Sequence, residues 1–565
     1  MQKWSRTQTM TDLTLPEQTT DGRARAEALD SRHRTGAEPT SLVSFLSRGR
    51  VLIVGEEAEA LAVARRLGEG LVATLFAPGE SRPTAGDRDG FTLIRGGQPR
   101  LTGSLGNYAI TLPESGDDDE DSPVMALVDE ARFDLVLDLG DPPLLRQEAP
   151  PPGYYAPRGD AAALEAALEE LPHMRGEFEK PKFFNYDPEI CAHGNRGIKG
   201  CTRCLEVCPA WAITSVGERI TVDPNLCQGF GSCASVCPTG AITYAYPTTE
   251  DLLAYVRTVL GLYRNSGGSK PRLVFFDAAS AGALSAALAD RLPESVLPVE
   301  LEEVGSLGLE AWLTCLAYGA GRVLILTGAE TPASVRDVLH RETEVTCTIL
   351  EGMGYPAAVQ AVDATDPQAL DEAVHSGAAV EIGRPGRFAP PPEKRLLLRT
   401  TLNLLLEQAP APKKVVPLPA GAAFGQVRVD TAACTLCMSC VAVCPTSALR
   451  EGQGLPQLNF VERSCVQCGM CDTACPEDAI TLEPRFLYDD AQRSARRLLH
   501  EEQPMCCISC GKPFATRSMI EVMRRKLESH WMFQSDEDRR RLEMCDTCRV
   551  KDLMRAKQES GQRDL

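Results

Sequence analysis

Residues 434–445 read CTLCMSCVAVCP and residues 465–476 read CVQCGMCDTACP. Each stretch spaces its four cysteines as C-x2-C-x2-C-x3-C and closes on proline, the spacing that cuboidal iron–sulfur clusters impose. Such a cluster needs four thiolates converging on one site. Two-residue spacers let three cysteines of a loop wrap three irons, with backbone N–H groups turned toward the sulfides. The fourth cysteine of each stretch reaches the cluster of the other stretch, and the proline after it turns the chain away. One 4Fe–4S cluster is therefore assigned to Cys434, Cys437, Cys440 and Cys475, and a second to Cys465, Cys468, Cys471 and Cys444. The segments ALR and AIT that follow the two stretches read as short strands, so two zinc sites or chance spacing account poorly for the pattern.

The same template laid over residues 191–238 fits with two departures. Cys201-x2-Cys204-x3-Cys208-Pro209 supplies three of four positions, and Ile198 stands where the first cysteine belongs. Cys191 lies upstream, and the loop AHGNRGIKG between them has glycines that permit it to fold back. In the second half, Cys227-x2-Phe230-x2-Cys233-x3-Cys237-Pro238 puts phenylalanine at the second-cysteine position. WAITS and GAITY follow as the expected strands. One cluster would take Cys191, Cys201, Cys204 and Cys237, leaving only Cys227, Cys233 and Cys208 for the other. Three thiolates suit a 3Fe–4S cluster or a 4Fe–4S cluster with a non-cysteine ligand, for which His193 is a candidate. An empty site and a plain surface histidine are the alternatives.

Near the end of the chain, Cys507-x2-Cys510-Gly511 and Cys545-x2-Cys548 form paired knuckles around a helical insert. Paired CxxC with glycine after the first pair is a zinc-ribbon-like pattern, and structural zinc is the first reading. A fifth iron–sulfur cluster and reactive thiols, the latter favoured by neighbouring Cys506, are the others. Cys315 and Cys347 sit in apolar helix and strand patterns and read as buried small hydrophobes.

Around these cysteines the chain is of mixed class, α/β plus α+β. The 565 residues suffice for several domains, and a hydrophobic fraction of 43% suffices for their cores. Residues 1–47 are polar and expected to be disordered. A degenerate Rossmann-like α/β domain spans 48–182, with strands at VLIVG, LVATLF and FDLVLDL. Its first turn continues with Glu56 and Glu57, which would repel a pyrophosphate, so the layer reads as structural. ESGDDDED at 114–121 reads as a solvated loop. A ferredoxin-like module at 183–248 precedes a second parallel α/β domain at 249–385, where RLVFF, VLPVEL, RVLILTG and VTCTIL read as strands between helices. A linker and helix (386–425), the second ferredoxin-like module (426–484, each module a pseudo-twofold βαβ repeat) and a helical Cys-rich tail (485–565) complete the order.

The net charge of −19 excludes nucleic acid as the main partner, because phosphate binding needs clustered lysine and arginine. No run of 18 apolar residues would span a membrane, and no secretory leader opens the chain. The cytoplasm, where thiols stay reduced, is the expected compartment.

The two cysteine modules resemble the two-cluster bacterial ferredoxin family. The alternation of α/β and ferredoxin parts is similar to modular polyferredoxins and heterodisulfide-reductase-associated subunits. PVELEEVGSLGLEAWLTCLAYGAGRVLIL resembles the small iron–sulfur subunit that links hydrogenase to heterodisulfide reductase. That family's binuclear-cluster cysteines are replaced here by FFDAASAG, so no cluster is carried over to this segment. EFEKPKFFNYDPEICAHG with GCTRCLEVCPAWAI is similar to uncharacterised bacterial 4Fe–4S proteins, some of them associated with formate dehydrogenase systems. The resemblances imply an electron-transfer component of an oxidoreductase system with redox-protein partners. An assembly or maturation factor, and an oxidoreductase with its own substrate site, are the alternatives. The sequence offers the last no intact nucleotide fingerprint, HExxH or GxSxG.

Overall fold

Apolar runs of the length of single strands, separated by helical stretches, build one mostly parallel and one fully parallel sheet, each preceding a cysteine module along the chain. The computed structural model describes residues 19–30, 39–79, 84–112, 122–123, 132–288 and 292–561. The first sheet has six strands, in the order Tyr154–Tyr155, Leu135–Asp138, Arg50–Val54, Val72–Pro78, Phe91–Gly96 and Thr84–Arg88. All neighbours run parallel except the closing hairpin of the last two. Its central strands are buried on both faces and so read as continuous rather than alternating apolar runs. The turn after Arg50–Val54 is filled by packing. A Cβ on Gly55 would come within 2.9 Å of the Leu139 side chain, and Glu57 is paired with Arg95 at 2.8 Å.

The second sheet is fully parallel, in the order Val296–Glu300, Arg272–Phe276, Arg322–Thr327 and Val359–Asp363. VTCTIL is not one of its strands. It forms the last turns of the helix Ala333–Met353, and VQAVD supplies the fourth strand. The β-branched residues that suggested a strand are accommodated helically. Val345, Ile349, Leu350 and Met353 form a buried stripe, while Thr346 and Thr348 donate their hydroxyls to carbonyls one turn back, at 2.6 and 2.8 Å. The helix Lys394–Glu407 packs on Leu309–Ala317 beneath this sheet, and the shared core runs on to Phe424 and Phe486, which border the second cysteine module.

The expected disorder of 1–47 is corrected where the structure describes it. Thr20–Ala28 is a helix capped by Thr19, and its small buried residues Ala24 and Ala28 let it lie against the helix Thr249–Asn265. Asp21 accepts a 2.9 Å hydrogen bond from the Tyr263 hydroxyl. Leu42–Ser47 pairs antiparallel with Gly176–Pro181. The acidic run at 114–121 lies outside the described residues. Among the described residues no helix is long and apolar enough to cross a membrane.

Candidate iron–sulfur centres

The second module is built from short strands on either side of two one-turn helices, Ser439–Val443 and Met470–Thr473. Gly425–Val429 pairs with Ile480–Leu487, and Leu449–Glu451 pairs with Gln457–Phe460. Between them lie two small cavities. One is lined by Cys434, Cys437, Cys440 and Cys475, the other by Cys444, Cys465, Cys468 and Cys471. The fourth cysteine of each stretch thus faces the other stretch's trio. The loops make their turns in the left-handed region: Leu436, Met438, Gln467 and Gly469 have φ of 53°, 62°, 52° and 85°. Three of these four are not glycine, a backbone cost that a site imposes rather than one the sequence favours. Burial pushes the Cys440 thiol up to about 12 and the Cys468 thiol up to about 11. A bound cluster would need these thiols as thiolates, so its iron would have to displace their protons. The Ala479 N–H and the Gln467 side-chain amide donate to Cys475 Sγ (3.3 Å) and Cys465 Sγ (3.4 Å), the kind of contact that tunes a cluster's potential.

The first module repeats the plan with Phe184–Tyr186 against Ile242–Tyr244 and Ile213–Val216 against Arg219–Val222. Cys191, Cys201, Cys204 and Cys237 line one cavity. The upstream cysteine returns through a hairpin in which the Cys201 N–H donates to the Ala192 carbonyl at 3.0 Å and Gly197 turns at φ +77°. His193 is buried rather than a surface residue, and it is not free to ligate. Its Nδ1 meets the Cys201 carbonyl at 2.9 Å and its Nε2 the Ser215 hydroxyl at 2.8 Å.

Cys208, Cys227 and Cys233 lie close enough to act on one another electrostatically; burial is the main cause of their raised pKa values, taking Cys227 to about 11. The loop around Phe230 keeps the backbone of the intact loops. Gly229 and Gly231 are left-handed at φ 85° and 78°, in step with Gln467 and Gly469. Phe230 therefore stands at the second-cysteine corner, and its buried ring belongs to the core that also holds Val304 and Leu307. Beneath the loop, buried Lys180 donates from Nζ to the carbonyls of Asn225 (3.1 Å) and Cys227 (2.5 Å). Burial lowers its pKa to about 8. Nothing in the sequence singled out Lys180, since a lysine in EFEKPKFF gives no sign of pointing inward.

The two modules touch. Gly200, beside Cys201, is pressed against Met470 and the Cys468 carbonyl, and Arg203 Nη2 donates to the Gln467 carbonyl at 3.3 Å. Cys468 is among the charges acting on Cys201, whose thiol burial raises to about 11.

In the tail, the hairpin Pro504–Cys506/Pro513–Thr516 carries Cys507 and Cys510 on a turn closed by Gly511 at φ +74°. Cys548 lies in the first turn of the helix Asp546–Gly561, with Cys545 just before it. The four sulfurs lie within 4.8 Å of one another, and Cys510 and Cys545 are 3.8 Å apart. Tetrahedral zinc with Zn–S bonds of about 2.3 Å sets its sulfurs about 3.8 Å apart, so the donor set fits that ion. A cuboidal cluster, whose four thiolates sit on four different irons, needs a wider spread. Cys506 is exposed and outside the group, Cys315 is buried in the core, and half-buried Cys347 donates to the Val359 carbonyl at 3.1 Å.

Models of a 4Fe–4S dicluster domain match residues 173–241 and 433–480. "Ferredoxin 7Fe" of Hydrogenibacillus schlegelii is 33% identical over 54 residues, which is 10% of this chain and 69% of that protein. A ferredoxin of Alicyclobacillus acidocaldarius subsp. acidocaldarius is 32% identical over 62 residues, 11% of this chain and 80% of that protein. Cavities lined by converging cysteines, inside two dicluster domains, define an iron–sulfur electron-transfer protein that binds 4Fe–4S clusters. The chain belongs to the ferredoxin family.

Proposed function

We propose that the chain is an electron relay in which four clusters form one line. The order is the Cys208/Cys227/Cys233 site, then Cys191/Cys201/Cys204/Cys237, then Cys444/Cys465/Cys468/Cys471, then Cys434/Cys437/Cys440/Cys475. The observation that carries this reading is the close approach of the two modules where Gly200, beside Cys201, lies against the Cys468 carbonyl. Three of the clusters are 4Fe–4S. The first is a three-iron cluster, a reading supported by the missing thiolate at Phe230 and by the seven irons in the name of the Hydrogenibacillus relative. Zinc held by Cys507, Cys510, Cys545 and Cys548 fixes the tail, which docks on the terminal cluster loop through the Thr516 hydroxyl and the Thr435 carbonyl (2.8 Å). Donor and acceptor are redox proteins of a larger oxidoreductase system, as the likeness to heterodisulfide-reductase-associated subunits implies, and the cytoplasm is the compartment.

The test is anaerobic reconstitution followed by metal analysis and EPR. Three four-iron clusters and one three-iron cluster give about fifteen irons per chain. On full reduction the two middle clusters give a spin-coupled spectrum, which Cys468→Ser collapses to that of isolated clusters. Eight irons or fewer, or magnetically isolated clusters in the unaltered protein, refute the relay.

A further inference from the structure

A cavity of about 420 Å³ lies outside the cysteine sites. It lies between the helix Lys394–Glu407 and the second module, and Ser464 and Thr446, neighbours of the cluster ligands Cys465 and Cys444, form part of its wall. Its volume falls in the range of small-molecule sites, about 300–1,000 Å³.

Five arginines line it: Arg395, Arg399, Arg463, Arg485 and Arg493. Only two carboxylates do, Glu393 and Glu462, and Glu462 is already held by Arg485 through two hydrogen bonds at 2.9 and 2.6 Å. The wall therefore carries an excess of positive charge on an otherwise acidic protein. Two of the guanidiniums are fixed by aromatic faces. Arg395 lies 5.5 Å from the Phe424 ring centre, and Arg493 lies 4.8 Å from that of Phe486.

Both also keep a buried N–H without an acceptor among the described residues. These are Arg395 Nη1 and, on a residue only 6% exposed, Arg493 Nε. A buried donor left unpaired costs about 1–3 kcal/mol, more when charged, and such groups are rare in folded chains. Arg493 Nη2 is already paired with Asp490 at 2.8 Å, and Arg395 Nη2 donates to the Arg463 carbonyl at 3.0 Å. An anion between the two guanidiniums would supply the acceptor that Arg395 Nη1 and Arg493 Nε lack. Arginine forks match carboxylate and phosphate oxygens, and Leu398, Leu402 and Leu487 offer apolar surface to the rest of such a molecule.

We propose that this cavity binds a small organic anion bearing phosphate or carboxylate groups, next to the cluster held by Cys444, Cys465, Cys468 and Cys471. The ligand sits where its charge acts directly on that cluster, so its binding is read at the cluster as well as in solution.

The test uses the full chain with its clusters, under anaerobic conditions. Calorimetric titration with inorganic pyrophosphate, flavin mononucleotide and citrate separates phosphate from carboxylate recognition. At least one probe should bind saturably at one per chain, weaken with added salt, and shift the EPR signal of the adjacent reduced cluster. Arg399 is exposed on the rim, so Arg399→Glu leaves the fold and the iron content intact and should weaken binding about tenfold or more. Arg493→Gln should weaken it similarly. No saturable binding of any of the three probes overturns the proposal, as does binding that is unchanged in Arg399→Glu.

Discussion

Gly200 of the first module lies directly against Met470 of the second. A Cβ at position 200 would overlap Met470 Cγ and stand 3.3 Å from the Cys468 carbonyl oxygen. Glycine is required there by the closeness of the two modules. Gly200→Leu should therefore wedge them apart while leaving every cysteine in place. The expected outcome is an unchanged iron count with loss of spin coupling between the middle clusters. Coupling that survives the substitution would place the route between modules elsewhere.

The tail offers a separate test of metal identity. Its sulfur spacing suits a single tetrahedral ion, and its hairpin and helix are joined mainly through those four cysteines and the small apolar cluster of Met544 and Phe514. One zinc per chain should remain after the clusters are destroyed by oxidation. Cys510→Ser should release it to a colorimetric chelator without loss of iron from the modules. Zinc-free protein with four iron–sulfur centres and an ordered tail would refute this assignment.

The grouping of the cysteines was legible in the sequence from their spacing within each loop and from the repeat of the motif. The cavities at 434–475 and 191–237 contain the residues so assigned. Six strands of the two sheets were legible as short apolar runs, but Phe91–Gly96, the fully exposed Thr84–Arg88, the two-residue Tyr154–Tyr155 and Val359–Asp363 were not, and VTCTIL was misread as a strand. There, β-branched composition concealed a helical stripe that becomes decisive only when it meets the core. His193, Lys180 and the Arg395/Arg493 pair were not legible as buried groups. A polar side chain is drawn inward by partners far away in sequence, such as Ser215 for His193 or the Cys227 carbonyl for Lys180, and no local pattern encodes those partners.

Lys180 is the one buried cation beneath the incomplete site that donates to a ligand residue's backbone, among the described residues. Lys180→Met preserves length and apolar volume but leaves the Asn225 and Cys227 carbonyls without that donor, at a cost of about 1–3 kcal/mol each. It also removes a positive charge beside a cluster. The site of Cys208, Cys227 and Cys233 should become the most labile of the four. Iron loss during a timed chelator challenge should begin there, reported by its EPR signal, while the other clusters persist. Uniform loss from all sites would show that Lys180 supports the fold rather than this loop.

Phe230 gives the most discriminating prediction. Its loop carries the same left-handed turns as the loop of Cys465, with Gly229 and Gly231 in register with Gln467 and Gly469. The backbone is therefore already shaped to present a thiolate at position 230. A cube with one corner held by nothing soft and anionic readily loses that iron, so air-exposed protein should show a three-iron EPR signal in its oxidised state. Phe230→Cys should supply the missing ligand, convert the site to 4Fe–4S and abolish that signal, with a gain of about one iron per chain. The substitution also empties part of the core shared with Val304 and Leu307, and truncations of this kind cost about 3–5 kcal/mol. A lower melting temperature should thus accompany the gain of iron. Cys204→Ser, in the other half of the module, should instead damage the Cys191/Cys201/Cys204/Cys237 cluster and leave the three-iron signal in place. If the unaltered protein gives no such signal and Phe230→Cys gains no iron, the three cysteines hold no cluster and the line of four sites is one shorter.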